Sequence, residues 1–166
     1  MRKILLIGLL LVSVIGWGQR FPYPNSAHLT VGGEGGEMIT DGSFASGSTY
    51  WGTTGGWTIG GGSGTFDDVT SGYISQTDGD MVSSIQPLTD YTLTFDISGT
   101  SGGGLYGRVC NAAATDCWTS LAEYSNGAIS IPFTTGADVG DGGIAFNGDT
   151  AGDSGGSITN VSLTAD

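Results

Sequence analysis

Apolar and polar residues alternate in several short stretches of the chain, and no window shows helical periodicity. The clearest stretch is residues 91–98, with the sequence YTLTFDIS. Its aromatic and aliphatic residues take every second position, which places them on one side of an extended strand, opposite its threonines and Asp96. This pattern predicts a strand with one buried and one solvated face, as in an antiparallel sheet.

Similar runs, separated by Gly, Asp, Ser and Asn, predict further strands along the chain. The predicted strands are residues 38–39, 57–59, 65–66, 73–76, 81–85, 91–98, 105–110, 128–133, 143–146 and 157–164. Many short strands joined by polar, glycine-rich connections are typical of sandwiches and barrels. We therefore predict an all-β fold, an antiparallel β-sandwich, for residues 38–166.

A glycine-rich segment at 99–104 separates two of these strands and predicts a hairpin between 91–98 and 105–110. If Leu105 and Val109 face the core, Tyr106 and Arg108 share the outer face with Asp96, and one register sets Asp96 opposite Arg108. Two interpretations of this pair stay open. It is an exposed ion pair of about 0–1 kcal/mol, or it forms part of a ligand face together with Tyr106.

The first 37 residues differ from the rest. Met1-Arg2-Lys3, the apolar run 4–15 and the small residues Gly16 and Gly18 predict a cleavable signal peptide at 1–18. The apolar run is shorter than the ~20 residues that cross a bilayer, so no membrane span is expected in the mature chain. The alternative is a retained segment that is amphipathic or belongs to the core. Residues 19–37 are rich in Pro and Gly and predict an extended arm or linker.

Charge narrows the possible partners. The chain has 16 acidic and 4 basic residues and a formal net charge of −12. After removal of the leader, two arginines would oppose the 16 carboxylates, a formal charge of −14. Such a surface repels phosphate backbones and anionic lipid headgroups, so nucleic acid and peripheral membrane binding are excluded. An apolar content of 38% and an aromatic content of 10% indicate a folded domain.

Cys110 and Cys117 are the only cysteines, and they flank a short segment. In an exported chain, this spacing predicts one disulfide that closes the loop. The alternative is a pair of buried thiols, since two cysteines without a nearby histidine are too few for a zinc site.

An ordered set of motifs covers roughly residues 38–164. It comprises ITDGSFASG at 39–47, GWTIGGG at 56–62, GYISQ at 72–76, YTLTFDI at 91–97 and ITNVSL at 158–163. The set resembles carbohydrate-binding modules of families 4 and 9, which open on an N-G-D-F-E-like turn and close on an I-D-N-V-S-L strand. The resemblance implies a galactose-binding-like jelly roll, and similar domains also occur in virion fibres and secreted bacterial surface proteins.

The family resemblance also implies a structural calcium, held in part by the acid after the opening Phe and by the Asp of the closing strand. This chain has Ala45 and Thr159 at those positions. Asp41 and Asn160 are the remaining oxygen ligands that could contribute to a calcium site. No cofactor is otherwise expected.

A sugar-binding face needs flat aromatic surface and polar side chains for the hydroxyl groups. The candidates are aromatics not assigned to a core face, with the polar pair described above: Trp51, Asp96, Tyr106, Arg108, Trp118 and Tyr124. Packing under loops is the alternative for each aromatic. Trp57, which shares a side with Ile59, is expected in the core.

Catalysis is not expected, because the single histidine, His28, lies in the arm and the chain has no Ser/His/Asp or Cys/His set. Two function hypotheses follow. The first is a secreted non-catalytic domain that binds a polysaccharide or cell-surface glycan. The second is a structural subunit of an extracellular fibre or a virion decoration protein, a homo-oligomer that assembles through its N-terminal arm.

Overall fold

Two five-stranded antiparallel sheets form the described part of the chain in a computed structural model, which covers residues 35–67, 69–100, 105–111, 117–119, 122–148 and 155–166. The predicted signal peptide at 1–18 and residues 19–34 of the predicted arm lie outside these ranges. None of the helices within the described ranges has the length and apolarity needed to cross a membrane.

The strands, in chain order, are β1 (Gly52–Thr53), β2 (Trp57–Gly60), β3 (Ser63–Phe66), β4 (Gly72–Thr77), β5 (Asp90–Ser98), β6 (Leu105–Cys110), β7 (Ala122–Tyr124), β8 (Gly127–Thr134), β9 (Gly143–Gly148) and β10 (Gly156–Ala165). Two short 3-10 turns, Gly47–Thr49 and Asp78–Asp80, accompany them. The first sheet, sheet A, has the order β1-β4-β9-β6-β7. The second, sheet B, has the order β2-β3-β10-β5-β8. The predicted all-β antiparallel sandwich is confirmed.

The core lies between the inner faces of the two sheets. Burial along β5 alternates strictly over its inner positions, as the sequence predicted. Phe95 of β5 meets Phe146 of β9 edge to face, with ring centroids 4.9 Å apart. Gly107 of β6 lies beside both rings, and a Cβ there would stand 3.3 Å from each. A side chain there would press on both rings, so the glycine helps the sheets to approach closely. Trp57 is also in the core, as predicted.

Two of the predicted strands are not strands in the structure, and two short strands, β1 and β7, were not predicted. Residues 38–39 are irregular, and 81–85 form a loop. In that loop the carboxylate of Asp78 accepts hydrogen bonds from the Ser84 hydroxyl at 2.8 Å and from the Ile85 backbone N–H at 3.1 Å. These bonds hold the backbone in a turn, although Met81, Val82 and Ile85 are apolar.

The predicted hairpin between β5 and β6 is wrong. β5 lies in sheet B between β10 and β8, whereas β6 lies in sheet A between β9 and β7. Asp96 is opposite Thr159 and Ala128, and Arg108 is opposite Ala145. Asp96 and Arg108 thus belong to different sheets. The successive strands β5 and β6 thus lie in different sheets, and an alternating pattern fits either arrangement because it fixes only which face is buried.

The N-terminal segment of the described chain covers the part of β10 that β3 does not reach. Gly35 and Met38 donate backbone hydrogen bonds to the carbonyl groups of Ala165 and Leu163, at 3.2 and 2.9 Å. The Glu37 carboxylate accepts the Leu163 N–H at 3.0 Å, where a neighbouring strand would offer a carbonyl. Residues 35–37, which the sequence placed in the arm, therefore pair with the edge of β10 and shield it.

A disulfide joins Cys110 to Cys117, as predicted. The two residues also form an isolated antiparallel bridge, and the Trp118 N–H donates to the Val109 carbonyl at 3.0 Å. The bridge therefore attaches the segment at 117–119 to the end of β6.

We expect the double substitution Cys110→Ser with Cys117→Ser to lower the free energy of unfolding by about 2–3 kcal/mol, because the open loop restores entropy to the unfolded chain. Urea denaturation of both proteins measures the difference. Reduction of the wild type with dithiothreitol is the matched control and is expected to give the same loss. Equal midpoints for the oxidised wild type and the double variant would contradict the prediction.

Candidate functional site

The outer face of sheet A carries two tyrosines on strands that flank β9. Asn147 of β9 is the register partner of Tyr73 on β4 and of Tyr106 on β6. The three residues therefore form one row across the sheet. Since neighbouring strands lie ~4.8 Å apart, the backbones of the two tyrosines are separated by about 9–10 Å.

The next row along the strands is Ser75, Ala145 and Arg108, two residues further on. The outward-facing positions of β9 include Gly143 and Ala145. Because these residues are small, they leave a depression in the outer face between β4 and β6. Two cavities lie along it, and Arg108 lines both. We call these two cavities together the outer groove.

The larger cavity of the outer groove has a volume of about 560 Å³, and the smaller has about 140 Å³. Tyr73, Tyr106, Arg108 and Asn147 line the larger one. Asp141 and Ala145 are among the residues lining the smaller one. The larger cavity thus combines aromatic side chains with hydrogen-bonding groups, which is the usual make-up of a small-ligand site.

Two polar groups of the outer groove have no partner among the described residues. The side-chain carbonyl oxygen of Asn147 is buried and accepts no hydrogen bond there. A buried acceptor left unpaired costs about 1–3 kcal/mol, so the Asn147 side chain would gain a hydrogen bond by turning toward a hydroxyl donor. The half-buried Arg108 is the only Lys or Arg in the described ranges, and within them it forms no ion pair.

The structure brings together only part of the predicted ligand face. Tyr106 and Arg108 lie side by side on β6 in the outer groove, as expected from their alternation with Leu105 and Val109. Asp96 does not join them, because it lies on the outer face of sheet B, where its carboxylate accepts a hydrogen bond of 2.8 Å from the Asn160 amide.

The other aromatic candidates pack against the interior. Trp51 is 2% exposed, lies 4.8 Å from the Phe44 ring and donates its indole N–H to the Asp41 carbonyl at 3.0 Å. Its interpretation as a surface aromatic is therefore corrected. Trp118 packs against the core beside Gly142.

Tyr124 of β7 faces the interior as well. It meets Phe95 edge to face at 5.6 Å. Desolvation by burial raises the pKa of its hydroxyl group above the usual value. Its ring therefore contributes to the contact between the two sheets instead of to the outer groove.

Tyr73 and Asn147 were not among the residues predicted from the sequence. Tyr73 is 43% exposed, one of the large hydrophobic side chains most open to solvent in the described ranges. Its signal in the sequence was the alternation along β4, where Ile74 and Gln76 are buried while Tyr73, Ser75 and Thr77 face outward. That pattern predicts the face of Tyr73, but not that β9 brings it to Tyr106.

The two residues considered for calcium have other contacts. The Asp41 carboxylate accepts the backbone N–H groups of Ala45 at 2.8 Å and Ser46 at 2.7 Å, which closes the loop that it begins. The Asn160 amide donates to Asp96, as described above. No group of three His, Cys, Asp or Glu side chains in the described ranges has a metal-binding arrangement. Asp41 and Asn160 thus make hydrogen bonds within the protein, and calcium binding stays a prediction.

No protein-family model and no curated protein matches the chain. Solved structures with the same fold do match. A family 16 carbohydrate-binding module is 16% identical with a TM-score of 0.54, and the match covers 76% of this chain and 98% of that module. A family 4 carbohydrate-binding module is 17% identical with a TM-score of 0.52, over 74% and 99%. The enzymatically active domain of tailspike protein 4 of bacteriophage CBA120 is 16% identical with a TM-score of 0.54, over 78% of this chain and 21% of that one.

The fold is therefore the jelly-roll sandwich that carbohydrate-binding modules share. Modules of families 16 and 4 and the family 22 xylan-binding domain from Paenibacillus barcinonensis, at a TM-score of 0.50, are similar to it to about the same degree. The comparison thus supports the fold of these modules without singling out families 4 and 9. Identities of 11–17% carry no information on the ligand.

Proposed function

We propose that this chain is a secreted, non-catalytic carbohydrate-binding domain of the family 4 and 9 type. In this proposal the outer groove binds a polysaccharide or a cell-surface glycan. The observation that carries it is the pair of outward-facing tyrosines, Tyr73 and Tyr106, on either side of Asn147.

The tyrosine spacing suits one sugar ring. A pyranose held between two aromatic rings, with van der Waals contact of 3.5–4.0 Å on each face, needs about 7–8 Å between the ring planes. The backbones of Tyr73 and Tyr106 are about 9–10 Å apart, a spacing wide enough to admit one sugar ring between the two side chains. The C–H faces of a sugar would replace water on two apolar surfaces, which is favourable.

Polar groups beside the tyrosines suit sugar hydroxyls. Asn147 lines the larger cavity at the centre of the row, and Arg108 presents guanidinium donors one row along β6. Ser75, opposite Arg108 across Ala145, adds a hydroxyl group. Such groups fix the orientation of a ligand that the aromatic rings hold.

The carboxylates near the outer groove are badly placed for glycoside hydrolysis. Glu123 on β7 is the register partner of Tyr106 and therefore lies in the row that contains Asn147. Asp141 lies at the other end of β9, just before the row that contains Gly143. Those rows are four residues apart, about 13 Å along the strand. The two carboxyl groups of a glycosidase are separated by roughly 5–9.5 Å. This arrangement supports a binding role without catalysis.

Secretion is supported by the predicted leader at 1–18 and by the disulfide between Cys110 and Cys117, since such bonds persist in oxidising compartments. The acidic composition supports a neutral or weakly charged ligand over a polyanion.

The decisive experiment is affinity electrophoresis of the mature chain in gels that contain neutral polysaccharides, such as β-glucans, xylans and mannans, followed by calorimetry with the matching oligosaccharides. We expect retardation by at least one of them, and loss of that retardation in Tyr73→Ala. Unchanged mobility of the folded protein with every neutral and acidic glycan would contradict the proposal.

The second candidate function is assembly into an extracellular fibre or virion, favoured by the similarity to part of a phage tailspike protein. Residues 35–37 pair with β10 of the same domain, so only residues 19–34 are left for contacts with another copy. Light scattering on chains that begin at residue 19 or at residue 35 tests this role. An oligomer that depends on residues 19–34 would support assembly, and monomers in both cases would contradict it.

A further inference from the structure

The position of Arg108 goes beyond what binding of a neutral sugar requires. The described ranges contain eleven Asp and Glu residues, and Arg108 is their single Lys or Arg. Although carboxylates are abundant, none of those described pairs with its guanidinium group. The residue lies on the strand that carries Tyr106, two positions further along. Among the described residues, Arg108 is therefore a single cation in the groove with no carboxylate paired to it.

Arg108 stands at the junction of the two cavities. It lines the larger one together with Tyr73 and Tyr106 and the smaller one together with Asp141. Ala145 is its register partner, and this short side chain leaves open space beside it on β9. A charged group of a ligand can approach the guanidinium group from either cavity.

We infer that the outer groove binds a glycan that carries isolated carboxylate groups, and that Arg108 pairs with the carboxylate of a uronic acid next to the sugar between the tyrosines. This inference rests on the proposed function. A guanidinium group matches a carboxylate with two parallel hydrogen bonds, and charge-assisted bonds of this kind are stronger than those to neutral hydroxyls.

The charges nearby locate the acidic sugar. Asp141 lines the smaller cavity and disfavours a carboxylate there, whereas no carboxylate of the described residues lines the larger cavity. Glu123 is the register partner of Tyr106 on β7, but it does not line the larger cavity. The acidic sugar therefore lies on the tyrosine side of Arg108. Interactions with more distant carboxylates of the domain are weak, because physiological salt screens exposed charges beyond about 8 Å.

The same charges set an upper limit on the charge density of the ligand. A glycan with a carboxylate on every sugar would place several anions against a chain with 16 acidic residues. Only one of those anions could reach Arg108, and the others would be repelled. The preferred ligand is thus a mainly neutral glycan with single acidic sugars.

The test compares acidic oligosaccharides derived from glucuronoxylan, pectin and alginate with their carboxyl-reduced forms, in which the acid has become an alcohol. Calorimetry measures the affinity of the wild type and of Arg108→Gln for each pair. We expect carboxyl reduction to weaken binding to the wild type by about tenfold for a sparsely charged oligosaccharide, and to have no effect on Arg108→Gln. Ser48→Asp is the matched control, because it makes the same change of charge on an exposed turn and should behave as the wild type.

The outcomes separate the inference from the proposed function. Equal affinity of the wild type for an acidic glycan and its reduced form would overturn the inference while glycan binding stands. Binding to neutral glycans alone, or a preference for sulfated or fully charged polymers, would overturn it as well. If the wild type bound neither the acidic oligosaccharides nor their carboxyl-reduced forms, the proposed function itself would be contradicted. A preference that persists in Arg108→Gln would show that another group recognises the carboxylate.

Discussion

We expect Tyr106→Ala to lower the affinity for the bound glycan by about 10- to 100-fold, which corresponds to 1.4–2.8 kcal/mol. The substitution removes one of the two aromatic walls of the outer groove, and with it the apolar surface that one face of the sugar would cover. Because Tyr106 lies on the outer face of β6, its loss leaves the packing between the sheets intact. Calorimetry with the oligosaccharide identified by electrophoresis measures the effect, and circular dichroism checks the fold.

Two further variants define the cause of that effect. Tyr106→Phe keeps the ring and is expected to stay within about threefold of the wild type, since one exposed hydrogen bond contributes little. Tyr50→Ala removes a tyrosine that is 38% exposed and does not line the outer groove, which makes it the matched control. The proposed site would be contradicted if Tyr106→Ala bound as tightly as the wild type, or if Tyr50→Ala lost as much affinity.

The faces of individual strands followed from the sequence because burial is a local pattern. Along β5 and β6, alternate residues had to face the core for any sandwich to form. Leu93, Leu105 and Val109 are fully buried in the structure. Tyr106 and Arg108 could therefore be placed on an outer face before any strand pairing was known.

The pairing of strands did not follow, because alternation is satisfied by any antiparallel partner. β5 pairs with β10 over most of its length, and residues 92 and 94 face residues 164 and 162 across the two longest strands. Similar strand length and matching outward Thr and Ser residues were the signals for this pairing. The shorter sequence distance to β6 favoured the hairpin instead, and that hairpin placed Asp96 in the same sheet as Arg108.

For aromatic residues in loops, the sequence pattern does not predict whether the side chain is buried. Trp51 follows a short 3-10 turn and has no periodic neighbours, so the sequence offered no face for it. Its burial depends on contact with Phe44 and on a hydrogen bond to the Asp41 carbonyl, and both residues belong to the loop that precedes it. Tyr73, by contrast, reaches the outer groove only because β9 lies between β4 and β6, which is a property of the sheet order.

We expect Phe95→Ala to lower the free energy of unfolding by about 3–5 kcal/mol, the usual cost of removing a buried phenylalanine ring. Phe95 is 2% exposed, and its ring meets Phe146 and Tyr124 of the opposite sheet at 4.9 and 5.6 Å. Its loss leaves a cavity where the two sheets touch and removes two edge-to-face contacts. Urea denaturation followed by tryptophan fluorescence measures the change.

This loss should depend on position, because cavity cost rises with burial. Ile131 of β8 is an inward-facing residue of the same sheet but is partly exposed at the sheet edge, so Ile131→Ala is expected to cost less than half as much. Domains of this size are typically stable by 5–15 kcal/mol. If Phe95→Ala does not fold, the milder Phe95→Leu can be measured instead. It keeps much of the apolar volume and is expected to lower the free energy of unfolding by about 1–2 kcal/mol. Equal losses of unfolding free energy for Phe95→Ala and Ile131→Ala would contradict this dependence on burial.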